Sequence, residues 1–349
     1  MTKYSHQEFK KKARDHQVKF KTSKEGLNIQ LTQCYIRKYT DRQGNFQNQH
    51  VESSLDKNDV FDKDNNYIIF YEGFRKEISE EIKSRDFSPF SQMVTNLLRS
   101  EHIPYNLFFP MKFDLEATKN LFNEVLSEHR IAKITDIIIE YNPVKIKGEN
   151  GKEDIYHLED GTAFDTYIKY LTPKGLKGGI GIEVKYTEGS YPLKKDSKEY
   201  KETHDEAIGN IHLADNYREP SYNSGWFKSE FIEDIIDPKS DKTKDKAKEH
   251  VVANKYRQIW RNHLLGASML LNNDIDEFTS LTVYPEGNGH FNNELWEGYE
   301  NKLTPEGQKT FSHITYEELF PLIEKHFKGG SIQKAEEWVT YLKKRYLVA

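Results

Sequence analysis

The chain carries a single cysteine, Cys34. That excludes an internal disulfide framework and a cysteine-built zinc site, and it fits a reducing, cytoplasmic setting. No apolar run approaches the roughly 20 residues a membrane span needs, so no membrane partner is expected. The N-terminus, Met1-Thr-Lys-Tyr-Ser-His6, leads into charged residues and not into the apolar stretch of a signal peptide. Also missing are the glycine-rich phosphate cradles Gly-x4-Gly-Lys-Ser/Thr and Gly-x-Gly-x2-Gly after a strand. Gly178-Gly-Ile-Gly181 lies inside a strand pattern and is no phosphate cradle. Thirteen histidines are present, but no Gly-x-Ser-x-Gly elbow accompanies them. Positive charge is not in excess either: the net charge of −5 does not by itself advertise a nucleic-acid binder. There is no internal repeat and no low-complexity tract.

What is present is a polar chain with a real core. Of its 349 residues, 36% are hydrophobic and 31% charged, and 21 Tyr and 20 Phe supply large apolar surface. The length suits one large domain or two ordinary ones. Residues 1–20 read as a basic helix, and 40–66 as a polar loop. Tyr67-Ile-Ile-Phe-Tyr71 fits a short strand or a helix start equally well. Ser88-Pro89 opens a helix whose apolar stripe is Phe90, Met93, Val94, Leu97 and Leu98. Helical spacing carries Glu101 onto that stripe, where a carboxylate needs a partner; a helix-end residue reaching solvent is the other reading. Glu72, Glu77 and Glu128 are weaker competitors for the same role. Leu115 to Arg130 reads as a second helix. Ile134-Thr-Asp-Ile-Ile-Ile-Glu-Tyr141 reads as a strand covered on both faces, ended by Asn142-Pro143.

The next stretch is the most informative. Ala163 to Leu171 and Ile180 to Tyr186 read as two strands, with Pro173, Gly175, Gly178 and Gly179 breaking the chain between them. In the second strand Ile180, Ile182, Val184 and Tyr186 point one way and Gly181, Glu183 and Lys185 the other. A turn centred near Lys174 sets Asp165 opposite Glu183, with Cβ atoms roughly 4.5–5.5 Å apart. Two carboxylates at that separation can share a divalent ion, and Mg2+ takes hard oxygen ligands of this kind. A solvated strand face also carries Glu-x-Lys. Three features set this one apart: an aspartate at hairpin distance, the small Gly179 and Gly181 that leave room for a backbone or ligand, and an apolar opposite face.

These residues resemble the PD-(D/E)xK nuclease superfamily, whose fold many restriction endonucleases share. Phe164-Asp165 stands where the family pattern has Pro-Asp. The segments Leu98–Pro110, His157–Asp165 and Tyr256–Asn262 are similar to a branch of restriction endonucleases, and the resemblance covers roughly residues 85–290. It implies an α/β fold: an αβββαβ core with a mixed central sheet flanked by helices, plus N-terminal, insertion and C-terminal helical additions. The division expected is 1–66 as an N-terminal helical and polar extension and 67–300 as the nuclease core with a loop-rich insertion at about 188–248. Residues 301–349 are expected to form a C-terminal helical segment packed on that core.

The implied activity is metal-dependent hydrolysis of DNA phosphodiester bonds by an endonuclease, in restriction or anti-phage defence. An exonuclease or repair nuclease, and a catalytically silent nucleic-acid-binding protein, are the alternatives. Asp165 and Glu183, with the Val184 carbonyl and Glu101 as further ligands, are expected to hold Mg2+, with Mn2+ able to substitute. Lys185 orients water and stabilises charge. The family's helix after Glu-x-Lys presents a Gln or Lys to the site, a role Gln258 matches on the helix Val251 to Leu271. Arg257, Arg261 and Lys255 are candidates for phosphate contacts. The run Asp241 to Arg257, with six Lys/Arg against three acids, is a DNA-facing stripe or a solvated loop. Partners to expect are DNA, with RNA left open, a second copy of the chain, since double-strand cutting favours a symmetric dimer, and a methyltransferase or another defence-system protein. Phe278 to Tyr284 reads as the last core strand. Tyr316 to Phe327 and Ser331 to Tyr346 read as two helices.

Overall fold

In the computed structural model, which describes residues 4–40, 45–85, 87–127, 130–147, 154–159, 161–189, 211–235, 256–332 and 334–348, the two strands around Lys174 sit at the centre of a five-stranded mixed sheet. Chain order begins with helix α1 (His6–Thr22), then strands β1 (Tyr35–Thr40) and β2 (Phe46–Val51), and helices α2 (Arg75–Ser84), α3 (Gln92–Thr95), α4 (Ile103–Leu107) and α5 (Leu115–Val125). Strands β3 (Lys133–Tyr141), β4 (Val144–Lys147), β5 (Asp154–Tyr156), β6 (Phe164–Leu171) and β7 (Lys177–Val184) follow. After α6 (Ile211–Asn223), α7 (Ser229–Ile235) and α8 (Arg257–Leu271) come β8 (Glu277–Tyr284), α9 (Asn293–Glu300), α10 (Pro305–Gln308) and β9 (Phe311–Thr315). Helices α11 (Tyr316–Phe327) and α12 (Ala335–Tyr346) close the described chain.

The sheet order is β3-β6-β7-β8-β9. The first two pairings are antiparallel and the last two parallel. A tight hairpin joins β6 to β7, whereas the parallel step from β7 to β8 needs a crossover, and α8 lies within it. Thus α5, β3, β6, β7, α8 and β8 form the αβββαβ core of the restriction-endonuclease-like fold.

Both faces of the sheet are covered. Ile180, Ile182 and Val184 join a large core with α1, α2, α5, α11 and α12. Phe164, Tyr167 and Phe278 pack on the other side with Ile259, Trp260 and Leu264 of α8. Helix α8 comes in close: a Cβ on Gly266 would sit 2.1 Å from the Phe278 ring. The glycines of β7 serve the same packing. A Cβ on Gly179 or Gly181 would strike Tyr167 or Phe164, so the space expected there for a ligand is filled by the protein's own rings.

Several elements differ from the sequence expectation. Helix α1, read only as basic, has a buried side: Phe9, Ala13, Gln17, Phe20 and Lys21 are buried, and Ser5 with Glu8 forms a capping box at its start. The 40–66 segment contains β2. Tyr67–Tyr71 is turns around an isolated bridge from Phe61 to Tyr67, with Tyr67, Ile69 and Phe70 buried. The C-terminal segment adds β9 to the sheet edge before its two helices. Most of the 188–248 insertion, with the basic run up to Lys255, lies outside the described residues. Among the described residues no helix is long and apolar enough to cross a membrane.

Candidate active site

The β6–β7 register runs from Thr166↔Ile182 to Leu171↔Lys177, so the turn is centred on Lys174 and Asp165 falls across from Glu183. Asp165 Oδ2 accepts the Val184 amide at 2.6 Å. Lys185 Nζ is paired with Glu183 Oε1. The lysine is 4% exposed, deep enough that the pair matters energetically. Burial alone would lower its pKa, but the Glu183 and Asp165 charges outweigh burial and raise it. The two carboxylates thus favour the charged form of Lys185.

Sequence reasoning passed over Glu140. The β3–β6 register pairs Ile139 with Thr166 and Tyr141 with Phe164, which sets Glu140 beside Asp165. Three carboxylates, Glu140, Asp165 and Glu183, thus stand in a row across three adjacent strands. Glu140 has a left-handed backbone, φ 53°. That conformation is uncommon away from glycine and is found where surrounding structure enforces it, often at functional sites. Burial, then the charges of Glu183 and Glu101, push its pKa up to about 7, against the opposing guanidinium of Arg85. Asp165 is raised well above the usual carboxylate range by burial and by Glu183 and Glu140, despite Lys185 and the Val184 amide. The cluster is short of positive charge. One signal could have found Glu140: a glutamate inside an otherwise apolar strand covered on both faces.

Asn262 is the other addition. It lies on the α8 stripe with Gln258, is 3% exposed, and its Nδ2 donates to Glu183 Oε2. Glu183 is thereby held from both sides, by Lys185 and by Asn262. Gln258, one turn earlier and half-buried, is not the α8 side chain that meets Glu183. The close α8–sheet approach at Gly266 is what carries Asn262 in. On β8, Thr282 pairs with Glu183 and so faces the same side; its hydroxyl is fully buried with no hydrogen-bond partner.

The Glu101 expectation needs correction. The helix from Ser88 does not run through to it. Only Gln92–Thr95 is helical, and the backbone then leaves the helix to pair with the chain after β2: Leu55 N donates to Thr95 O and Leu97 N to Ser53 O. Glu101 sits on the following turn, half exposed and clamped by Arg99. Its charge still reaches Glu140. Glu188 fixes this turn to the hairpin exit: its carboxylate accepts the Ser100 amide at 3.0 Å and the Tyr186 amide at 2.8 Å. Thr187 Oγ1 donates to Leu98 O, and the Tyr316 hydroxyl to Lys185 O at 2.6 Å. Arg257 and Arg261 are half-buried on the first turns of α8. Lys255 lies outside the described residues, as does Glu128. Glu77 is exposed on α2, and Glu72 sits on a short 3-10 turn.

An αβββαβ sheet with Asp, Glu-x-Lys and a supporting amide at one end of its central hairpin defines a nuclease-type core. The PD-(D/E)XK nuclease superfamily profile matches residues 4–348, nearly the whole chain, and the chain belongs to that superfamily. Neither curated proteins nor solved structures give a match.

The hydrogen bond from Asn262 carries a prediction. If Glu183 serves the nuclease site proposed below, Asn262→Ala should slow cleavage about 10–100-fold, the usual cost of removing a group that orients a ligand carboxylate. Gln258→Ala should stay within about threefold of the parent. Single-turnover rates of the two variants side by side check this; equal losses would return the role to Gln258.

Proposed function

We propose that the protein is a metal-dependent endodeoxyribonuclease whose site is Asp165, Glu183 and Lys185, supported by Glu140 and Asn262. The observation that carries this reading is the charge imbalance of the cluster: three carboxylates in line against one buried lysine, with Asp165 displaced upward by burial, Glu183 and Glu140, and Glu140 by burial, Glu183 and Glu101. A divalent cation relieves that repulsion. All available donors are hard oxygens, which suit Mg2+, or Mn2+ in its place. Among the described residues no group of three His, Cys, Asp or Glu is placed so that the side chains alone could hold a metal ion, so the ion would rest on the Asp165 and Glu183 pair, with water and substrate completing its shell. An open set of carboxylates suits an ion that keeps water and takes phosphate oxygens.

Asp165 and Glu183 would hold the ion, with Glu140 beside Asp165 as a further oxygen; the Val184 carbonyl and Glu101 are further candidate ligands. When bound, the ion supplies positive charge that polarises the phosphate and acidifies water. The protein's own groups do the rest. Lys185, held by Glu183, keeps further N–H donors that would serve the attacking water and the charge growing on the phosphate. Asn262 keeps Glu183 from turning away. Asp165 is fixed by the Val184 amide, so the hairpin is aligned before substrate arrives.

A role in restriction or anti-phage defence is proposed on the resemblance of the Leu98–Pro110, His157–Asp165 and Tyr256–Asn262 segments alone. Incubating supercoiled plasmid with the protein and Mg2+ tests the activity. Linear or open-circular product is expected, with none in EDTA and none from Asp165→Asn. Cleavage that persists in EDTA would exclude metal-dependent hydrolysis at this site, and loss of linear DNA from its ends with circles untouched would favour an exonuclease.

A further inference from the structure

Burial accounts for most of the fold, but not for the β1–β2 ribbon. The two strands pair antiparallel from Tyr35↔Val51 to Thr40↔Phe46, and of their residues only Val51 is even half-buried. A two-stranded hairpin is marginal in water. Open edges beside Tyr35, Ile36, Tyr39 and a 91% exposed Phe46 are an aggregation hazard. Stability gives no reason to keep such an element.

Its chemistry does. Neither strand contains an acidic residue: Tyr-Ile-Arg-Lys-Tyr-Thr faces Phe-Gln-Asn-Gln-His-Val. Alternation puts Arg37 and Gln49 on one face and Lys38 and Asn48 on the other, each pair directly cross-strand. The first face opens on a cleft whose opposite wall carries Lys57, Gln92 and Asn96.

We propose that this ribbon enters the major groove of duplex DNA and contacts base edges there. The proposal rests on the nuclease reading above and names how that site finds its substrate. The B-form major groove admits a two-stranded ribbon. Arg pairs with guanine, Asn and Gln with adenine, and apolar or aromatic groups meet the thymine methyl. Lys38 and Lys57 supply phosphate charge, which positions without specifying. The narrow major groove of duplex RNA is closed to such an element, and a lipid surface gives no use to three consecutive amides, Gln47, Asn48 and Gln49.

The ribbon is also coupled to the candidate site. The chain leaving β2 pairs with the chain leaving α3, through the Ser54–Asn96 bridge and the Leu55–Thr95 and Leu97–Ser53 hydrogen bonds. That same strand of chain runs on through Leu98 and Ser100, which Thr187 and Glu188 tie to the hairpin exit two and three residues past Lys185. A ribbon seated in a groove is therefore in fixed register with the Asp165–Glu183 hairpin.

The experiment uses the full chain, Ca2+ in place of Mg2+, and a random-sequence 30-bp duplex pool with 5-iododeoxyuridine replacing thymidine, whose iodine lies in the major groove. Photocrosslinks are expected within peptide 35–51. Arg37→Ala/Lys38→Ala should weaken duplex binding roughly tenfold and reduce the slope of log affinity against log salt by about 1, the share of the Lys38 phosphate contact. Melting temperature and Mn2+ binding should not change. Asn48→Ala/Gln49→Ala should alter which sequences are retained from the pool. Crosslinks only elsewhere, or unchanged affinity in the double variant, would overturn the ribbon assignment and leave the nuclease reading standing. Duplex RNA held equally well through the ribbon would overturn the groove assignment. A parent protein that binds Mn2+ but no duplex DNA would overturn both, the fault then lying with the substrate.

Discussion

Lys185→Ala is expected to abolish cleavage and, in the metal-free protein, to cost about 3–5 kcal/mol of stability at pH 8. Both effects come from one geometry. Lys185 is almost fully buried and is the cation paired with Glu183 and facing Asp165. Removing one partner of a buried pair leaves the other uncompensated, which costs far more than the pair itself contributes. The remaining carboxylates respond by taking up protons, so the loss should shrink as pH falls towards 5. Mg2+ should recover part of the stability and none of the activity, since the ion replaces the lysine's charge but not its hydrogen bonds to water and phosphate. Urea unfolding in EDTA and in Mg2+, at both pH values, measures this. A midpoint indifferent to the substitution would mean that Lys185 is not the counter-charge of the cluster.

Glu140→Gln is expected to act in the opposite sense. The Glu140 pKa in the folded chain is about 7, above its ordinary value of 4.5. Between those two values the folded protein holds a proton that the unfolded chain has released. Stability contributed by this group therefore falls as pH rises from about 4.5 to 7, and above 7 the penalty is complete. At roughly 1.4 kcal/mol per pH unit it reaches about 3 kcal/mol at most. The glutamine variant escapes that penalty. In EDTA it should be more stable than the parent at pH 8 and within about 1 kcal/mol of it at pH 5. Mg2+ should narrow or reverse the order, because a cation favours the charged carboxylate that only the parent has. Comparison with the isosteric variant cancels the opposing contribution of His263, whose pKa burial pushes down to about 3. A variant no more stable than the parent at pH 8 would place Glu140 outside the repulsive cluster.

Legibility of the fold followed burial. The turn centre and pairing of the β6–β7 hairpin were readable because one face is apolar and the turn is marked by Pro173 and Gly175, but Gly178 and Gly179, read as breaking the chain, lie inside β7, where they make room for Tyr170 and Tyr167. Helix α11 was readable for the same reason, with Tyr316, Leu319, Phe320 and Ile323 on one stripe and Thr315 capping its start. The β1–β2 ribbon left no trace in the pattern, since a strand exposed on both faces has no alternation to display. The strand β9 is five residues long and runs straight into α11, too short for its period to register. Helix α3 failed by competition: the apolar stripe through Leu98 is real, and Leu97 is fully buried, but backbone pairing with Ser53–Leu55 supplies the same burial in extended form.

The candidate site divides in the same way. Asp165, Glu183 and Lys185 come from one local hairpin, so spacing along the chain carries their geometry. Glu140 and Asn262 reach the cluster through sheet order and helix docking, which no local spacing encodes. Asn262 differs from Gln258 by one turn on the same stripe, and only the depth of the α8–sheet contact at Gly266 decides between them.

The central claim is that this carboxylate row is a divalent-cation site. Calorimetric titration of Mn2+ into the parent protein and Asp165→Asn at pH 7.5, in two buffers of different ionisation enthalpy, tests it most directly. Binding with partial proton release is predicted for the parent, because the ion competes with the proton that Glu140, with its pKa pushed up to about 7, still partly holds at this pH, and binding should be lost or weakened at least about tenfold in the variant. Identical isotherms for the two proteins, or no binding to either, would contradict the account.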